Sequence, residues 1–393
     1  MATRPTRVLI ATRLFAPEVA AAAFRLRALA RGLAEADAAV TVVTTRPPKH
    51  GAPAWDDAGV DVSRMPVMRD AGGNVRGYVQ YMSFDLPLFF RLLFRRADIV
   101  VSEPPPTTGF VVAVTSWLSR RPYVYYAADI WTDGLIALGA ARVLIGIMRR
   151  LEGTVLRKAT NVLAVSDEVA DKVREFGVPE ERIAIVGNGI DTEVFRPDGP
   201  AVTDGPITFV YSGIMSEWQD PSVFVRAMPE LLADFPDARL RFFGHGAEEP
   251  ALKSLATELH LDCVTFGGVV PPATAAEWLR GATAALASIK PGLGYDFAKP
   301  TKIYAAAACG TPVIFAGIGA GAELVEANGL GWRCDHEVGS VATAMRAAIA
   351  SPQAKPIAGM RASSVEWVRL NASVTASAAR AAAATLAVIR RPR

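Results

Sequence analysis

The chain has little of what marks several common protein classes. Its 393 residues hold three cysteines, Cys263, Cys309 and Cys334, in no CxxC spacing. An odd, scattered set argues against a disulfide framework or a structural zinc site and points to a reducing cytoplasm. Net charge is small: 42 Lys plus Arg against 39 Asp plus Glu leave +3, without the basic asymmetry expected of a nucleic-acid binder. No GxGxxG follows a strand, which disfavours nicotinamide dinucleotide chemistry. HExxH, a nucleophile elbow and a carboxylate pair arguable at hydrolase spacing are missing too, so no metal site is expected. No apolar run reaches the roughly 18 residues that span a bilayer. Arg4 and Arg7 ahead of Val8-Leu9-Ile10 imitate a signal peptide, but Arg13, Glu18, Arg25 and Arg27 interrupt it, and the expectation is a protein neither exported nor membrane-spanning.

What is present is a folded composition, 51% hydrophobic and 21% charged with 32 Gly and 27 Pro, and a length that predicts two domains at about 100 to 200 residues each. Short Val/Ile-rich runs alternate with longer Ala/Leu/Arg segments of helical period, the pattern of strand-helix-strand units in a parallel sheet. Strands are predicted near 7–12, 39–45, 98–102, 122–128, 161–165 and 182–186, and again near 207–212, 239–243, 264–266, 284–287, 312–315 and 330–333. The Pro, Gly and Asp cluster Arg196 to Pro206 between the two series is the expected boundary. From Ser363 onward the chain reads as helix, able to cap the second domain or to cross back to the first. The fold class is α/β with two doubly wound, Rossmann-like domains: 1–198, 206–362, and a C-terminal helical segment 363–393 assigned to the first domain.

Open parallel sheets bind ligands outside the carboxyl ends of their strands, so the turns there are the places to look. After the first strand come Thr12 to Glu18 and then Arg25. After the strand at 122–128 comes Asp129-Ile130-Trp131-Thr132-Asp133-Gly134, where the Asp accepts hydroxyl hydrogen bonds and the Trp offers a stacking face, or the Asp simply caps a helix. Ser166-Asp167-Glu168 reads as a helix cap. Asn188-Gly189 in Val186 to Pro197 reads as a tight turn, in which both residues tolerate positive φ.

These segments, in this order, resemble the GT-B glycosyltransferases of the large retaining group (family 4 type) that builds bacterial polysaccharides and glycolipids. The resemblance covers nearly the whole chain. It rests on Pro17-Glu18 with Arg25, Ser102 to Pro106, Asp129-Ile130-Trp131, Arg150-Leu151-Glu152 and Asn188-Gly189-Ile190-Asp191 with Phe195 and Pro197. It continues through Tyr211-Ser212-Gly213, Phe243-Gly244-His245-Gly246, Lys299 to Tyr304, Cys309 to Val313 and Val365-Glu366-Trp367.

The resemblance implies a metal-independent, retaining transferase with no cofactor, its substrate a nucleotide diphosphate sugar bound by the second domain. Donor contacts are expected from Gly213, Ser216, Gly244, His245, Gly246, Lys299, Thr301 and Lys302. The Lys302 ammonium would neutralise the leaving diphosphate, and Gly213 and Ser216 would donate to it. Asp129 would orient the acceptor or the sugar; Glu18, Arg25 and Trp131 would bind the acceptor, a glycan, lipid-linked sugar or small molecule. The chain departs from the family at Phe297 and Ala305, which stand where two Glu are common, the second gripping the ribose. It departs again at Ala128, before the cleft Asp, and around Glu217-Trp218-Gln219, where a basic residue is usual. A GT-B protein that binds a nucleotide or a partner without transferring sugar is the alternative. Finally, Phe84 to Arg96 and the Arg-rich stretch 142–158 suggest a cationic, apolar surface for peripheral contact at the inner face of a membrane, core helices with solvated basic faces being the other reading.

Overall fold

A computed structural model describes residues 4–18, 21–47, 59–70, 75, 77–137, 140–351 and 356–390. It divides into two compact units, Met1–Asn188 with Val374–Arg393, and Gly189–Ser373. The division falls at 188/189, ahead of the Pro/Gly/Asp cluster at 196–206. That cluster is held onto the second unit by Val202 N–H donating to Glu277 O at 3.0 Å and Arg280 Nε donating to Pro200 O at 2.7 Å.

The first unit has a seven-stranded parallel sheet. Its strands are β1 (Arg7–Ala11), β2 (Ala39–Thr45), β3 (Val60–Met65), β4 (Ile99–Ser102), β5 (Tyr123–Ala127), β6 (Asn161–Ala164) and β7 (Ile183–Ile185), in the order β3-β2-β1-β4-β5-β6-β7. Only β3 escapes the sequence reading. Its VDVSRM alternates polar and apolar residues because it is an edge strand, paired on one side to β2. The inner strands are buried on both faces. Val8 and Ile10 join one core with α1 (Ala21–Glu35) and α14 (Val374–Arg390), while Leu9 and Ala11 join another beneath α2 (Tyr78–Phe94), α3 (Pro106–Leu118) and α5 (Arg142–Lys158).

The second unit repeats the winding with β8 (Ile207–Ser212), β9 (Ala238–Phe243), β10 (Val264–Phe266), β11 (Ala284–Ser288), β12 (Val313–Ala316) and β13 (Gly331–Cys334), in the order β10-β9-β8-β11-β12-β13. Helices α7 (Ser222–Leu232), α8 (Glu249–Glu258) and α12 (Val338–Ala350) cover one face; α9 (Pro272–Gly281), α10 (Thr301–Ala308) and α13 (Pro356–Asn371) cover the other. Each sheet reverses direction between its first strand and the strand that follows the crossover, at β1/β4 and at β8/β11, and those switch points fix where ligands can enter.

The C-terminal segment is two helices rather than one. Val368 and Ala372 are buried in the second unit's core, and the chain breaks at 372–373, where Ala372 O accepts from Ile190 N–H at 2.7 Å. From Val374 the chain belongs to the first unit. The small residues Ala381 and Ala382 let α14 approach α1, and Ser377 Oγ donates to Val186 O at 3.0 Å. Since Ala381 is wholly buried and Ala379 is exposed, Ala381→Asp should cost about 3 to 5 kcal/mol by leaving an unpaired buried charge. Ala379→Asp should be nearly neutral, with both read from urea unfolding.

Candidate functional site

In the second unit the carboxyl ends of β8 and β9 run on as two interlocked turns. Gly213 N–H donates to Phe243 O at 2.8 Å and Met215 N–H to His245 O at 3.0 Å, which extends the strand pairing beyond the sheet. The turns touch at their glycines. A Cβ on Gly244, whose φ is +123°, would sit 2.0 Å from Gly213 O, and one on Gly246 would sit 2.0 Å from Met215 O. Two expectations change accordingly. The Gly213 amide, expected to donate to the diphosphate, is already spent on Phe243. What Gly244 and Gly246 are shown to admit is the neighbouring turn.

Lys302 reaches this turn from the first helical turn of α10. Its Nζ lies 3.6 Å from the centroid of the Tyr211 ring and 3.4 Å from both Ile214 O and Gln219 Oε1. The Tyr211 hydroxyl is 2.9 Å from the same two oxygens, so one polar patch organises both side chains. The lysine therefore places its cation beside Gln219, in the stretch where the family's usual basic residue is missing. No ion pair to Lys302 exists among the described residues, and loss of solvent pushes its ammonium well below the ordinary lysine range. Ser216 Oγ, enclosed at this turn, has no hydrogen-bond partner; Ser288 Oγ at the end of β11 and Asp296 Oδ1 are in the same condition. Buried polar atoms of this kind call for an explanation, and a bound group is one. His245 and Thr301 are exposed, and Lys299 is half-buried. In the loop from β11 to α10, Tyr295 stacks on Trp218 at 4.8 Å between centroids, and Phe297 is 52% exposed. Ala305 is buried on α10.

The first unit's switch point holds an acid that sequence reasoning did not single out. Glu103, directly after β4, is buried, accepts from Thr12 Oγ1 at 2.9 Å and pairs with Arg25 at 3.2 Å. Burial pushes its carboxyl up, and Arg25 and Thr12 pull it back. The only sequence signal was an acid directly after the short run Ile99-Val100-Val101-Ser102. Arg25, expected to hold acceptor, is thus committed to Glu103, and its guanidinium lies 5.3 Å from the Tyr126 ring centroid. Glu18 is also engaged, pairing with Arg69 at 3.0 Å and accepting from Thr45 Oγ1 at 3.2 Å.

Asp129, exposed at the end of β5, has no ion pair among the described residues. Desolvation raises its carboxyl and Arg25 opposes the rise. Trp131 opens α4 (Trp131–Ala137), its N–H donating to Glu152 Oε1 at 2.8 Å and its ring meeting Tyr81 edge-on at 5.9 Å. Glu152 also accepts from Thr132 N at 2.9 Å, so this buried acid on α5 fixes the segment that carries Asp129 and Trp131. Arg13, buried, packs over Tyr81 at 3.8 Å with an unpartnered Nε. Among the described residues, no group of three or more His, Cys, Asp or Glu could hold a metal ion.

Known proteins share the domains that carry these residues. Residues 21–189 match the glycosyl transferase 4-like domain, and residues 206–351 match glycosyl transferases group 1. A D-inositol 3-phosphate glycosyltransferase of Frankia alni is 30% identical over 268 residues, which cover 60% of this chain and 64% of that protein. A second relative of that name, from Kribbella flavida, is matched over 43% of its own length. Among solved structures, Anabaena HepE in complex with UDP and glucose superposes with a TM-score of 0.65 at 17% identity, covering 97% of this chain and 99% of that one. A glycosyltransferase from Rickettsia africae gives 0.70 at 12% identity, covering 99% and 100%.

Because the Gly244 contact is backbone against backbone, Gly244→Ala should destabilise the protein by about 3 kcal/mol or more, through both the positive φ and the clash. A substitution at the neighbouring exposed position, His245→Ala, should leave the melting midpoint nearly unchanged. Since the two matched domains together take in residues 21–189 and 206–351 and the two parallel α/β units superpose on glycosyltransferase structures along nearly their whole length, the chain belongs to the GT-B glycosyltransferases of the family 4 and group 1 type.

Proposed function

We propose that this protein transfers a sugar from a nucleoside diphosphate sugar to an acceptor hydroxyl, with Lys302 stabilising the departing diphosphate. The observation that carries this reading is the Lys302 ammonium, held over Tyr211 with no counterion among the described residues and 3.4 Å from Ile214 O, in the same turn as the unpartnered Ser216 Oγ. A cation taken out of water with no acid beside it is poorly solvated by its own protein and binds an anion strongly. A diphosphate gains charge as the bond from the sugar C1 to phosphate oxygen breaks, so its transition state is favoured over its ground state. Ser216 would donate its hydroxyl to a phosphate oxygen. The structures of HepE with UDP and with UDP-glucose support a donor of this class.

The chemistry proposed is retaining and needs no metal. The acceptor oxygen attacks C1 on the face from which the diphosphate leaves, the C1–O bond to phosphate breaks, and the acceptor proton passes to a phosphate oxygen. No protein base is required, which makes the route compatible with Ala305 and Phe297 in place of the family's carboxylates. Asp129 would orient the acceptor or sugar, on a segment anchored by Glu152. The acceptor is a glycan, a lipid-linked sugar or a small molecule, in polysaccharide, glycolipid or glycosylated natural-product synthesis, and the setting is cytoplasmic. The rival, a GT-B protein that binds a nucleotide without turnover, is motivated by Ala305 and Ala128.

Calorimetry with UDP, GDP and dTDP, followed by hydrolysis and transfer assays on the corresponding sugars, separates the two. Binding with no turnover of any donor favours the rival. Lys302→Met should lower kcat/KM about 100- to 1,000-fold, the usual effect of removing one charge-stabilising group, with an unchanged fold by circular dichroism. Full activity in that variant would remove Lys302 from the mechanism.

The sign of the pH effect follows from the lowered lysine. Above its depressed pKa the free enzyme carries a neutral amine, and a bound diphosphate restores the proton. Nucleoside diphosphate binding should therefore take up a proton, and affinity should fall as pH rises through the interval between the depressed and the ordinary lysine value. Calorimetry in buffers of different ionisation enthalpy measures the uptake, which Lys302→Met should abolish.

A further inference from the structure

The helical layer of α2, α3 and α5 on the first sheet has an outer surface that the fold leaves uncovered. Helix α2 is apolar on both sides. Phe84, Leu88 and Leu92 are wholly buried against the sheet, yet Val79, Met82, Leu86, Phe90 and Phe94 are 59, 54, 58, 53 and 84% exposed. At 3.6 residues per turn, those five fall within an arc of about 120° opposite the buried three. A surface helix of a globular protein ordinarily turns charged or polar residues to water. Trp117 on α3 is 75% exposed, as is Val143 on α5. An apolar patch of this breadth marks an interaction surface.

The charges say what kind. Across the three helices the only acids are Asp85 and Glu152, and both are 1% exposed. Asp85 accepts from Thr108 Oγ1 at 2.6 Å, and Glu152 is engaged at the start of α4. Every exposed charge on these helices is positive: Arg142, Arg149, Arg150, Arg157 and Lys158, all on α5. Arg91 and Arg95 at the end of α2 are half-buried and donate to Ser63 Oγ at 2.5 and 2.7 Å, and Arg96 just beyond the helix is exposed, so the basic rim lies chiefly on α5. A face of phenyl, indole and leucyl groups bordered by cations, with its acids turned inward, complements an anionic lipid surface: apolar groups enter the acyl boundary and cations meet headgroups.

The geometry points to a membrane-docking face made by α2, α3 and α5, which lie flat on an anionic bilayer with the Phe90, Phe94 and Trp117 side chains at the interface. Docking is peripheral, since no helix among the described residues is long and apolar enough to cross a membrane. The inference is independent of the proposed chemistry, because it concerns adsorption and not turnover.

Flotation of the full chain with phosphatidylglycerol–phosphatidylcholine vesicles, against phosphatidylcholine alone, tests it. The protein should float with the anionic vesicles, less so at high salt, and not with the neutral ones. Phe90→Ser/Phe94→Ser/Trp117→Ser should weaken binding at least about tenfold. Arg142→Ser/Arg149→Ser/Arg150→Ser should do the same at low salt. Circular dichroism and the melting midpoint check that each variant is folded; should the apolar triple variant unfold, Phe94→Ser alone serves, its side chain being the most exposed of the stripe. Equal partitioning of native and folded variants overturns the proposal. So does absence of lipid binding combined with concentration-dependent self-association that the same apolar substitutions abolish, which would make the face a contact between copies of the chain.

Discussion

A lysine ammonium held over a tyrosine ring, with no carboxylate paired to it among the described residues, is the interaction on which the second unit's candidate site depends. Cation–ring attraction is worth roughly 0.5 to 2 kcal/mol, and the contacts of Lys302 to Ile214 O and Gln219 Oε1, at 3.4 Å, are too long to restore lost hydration. A charge so placed is disfavoured by its surroundings, which is why its proton is held less tightly than an ordinary lysine's. Tyr211 is buried at the end of β8, its hydroxyl tied to the oxygens that Lys302 also touches. The turn that presents Ile214 is in turn pinned to the turn after β9 by two backbone hydrogen bonds and two glycines. The cation's position is thus a consequence of sheet geometry, and its chemistry is preorganised before any ligand arrives.

The first unit inverts this electrostatic arrangement. Glu103, Asp129, Asp85 and Glu152 all have carboxyls raised by desolvation. Three of them have local partners: Glu103 has Arg25 and Thr12, Asp85 accepts from Thr108 on Oδ1 while its buried Oδ2 has no partner, and Glu152 takes the amides at the start of α4. Asp129 alone of the four has no such partner among the described residues and is exposed, which sets it apart from the carboxylates that hold the scaffold. Acids that serve structure and an acid available to a ligand can share one sheet edge because burial and pairing, rather than residue type, divide their roles.

Much of the fold was legible because buried parallel strands are short continuous apolar runs, and twelve such runs stand out. Val60–Met65 did not, since a sheet edge needs only alternation and its Asp61, Ser63 and Arg64 read as loop. The break after Asn371 was invisible because an Ala-rich tract continues helical composition through a site where Ile190 takes the Ala372 carbonyl. At the site, Lys302 and Ser216 could be picked through the resemblance, on the Tyr211-Ser212-Gly213 and Lys299 to Tyr304 segments. The commitment of the Gly213 amide to Phe243, and of Glu18 and Arg25 to Arg69 and Glu103, could not, because those partners lie 30, 51 and 78 residues away. Sequence periodicity reports burial, whereas hydrogen-bond partnership across a sheet edge is decided by register.

The same limit bears on the carboxylates missing from α10 and the loop before it. Ala305 is buried in a row with Ala306, Ala307 and Ala308, so the helix meets its neighbours with methyl groups at the position where the family carries the ribose-binding acid. Nothing on α10 supplies an alternative acid, since its eight residues contain none. The carboxyl edge is nonetheless not bare: Asp296 Oδ1 and Ser288 Oγ are enclosed without partners, and Asp296 is held by its own carbonyl, which accepts from Ala320 N–H at 2.8 Å. Fixed backbone and an unused side-chain oxygen together are what recognition of a hydroxyl requires. Absence of an acid from α10 therefore does not empty the edge of acceptors, since Ser288 at the end of β11 and Asp296 in the loop ahead of α10 each keep an unpartnered oxygen there.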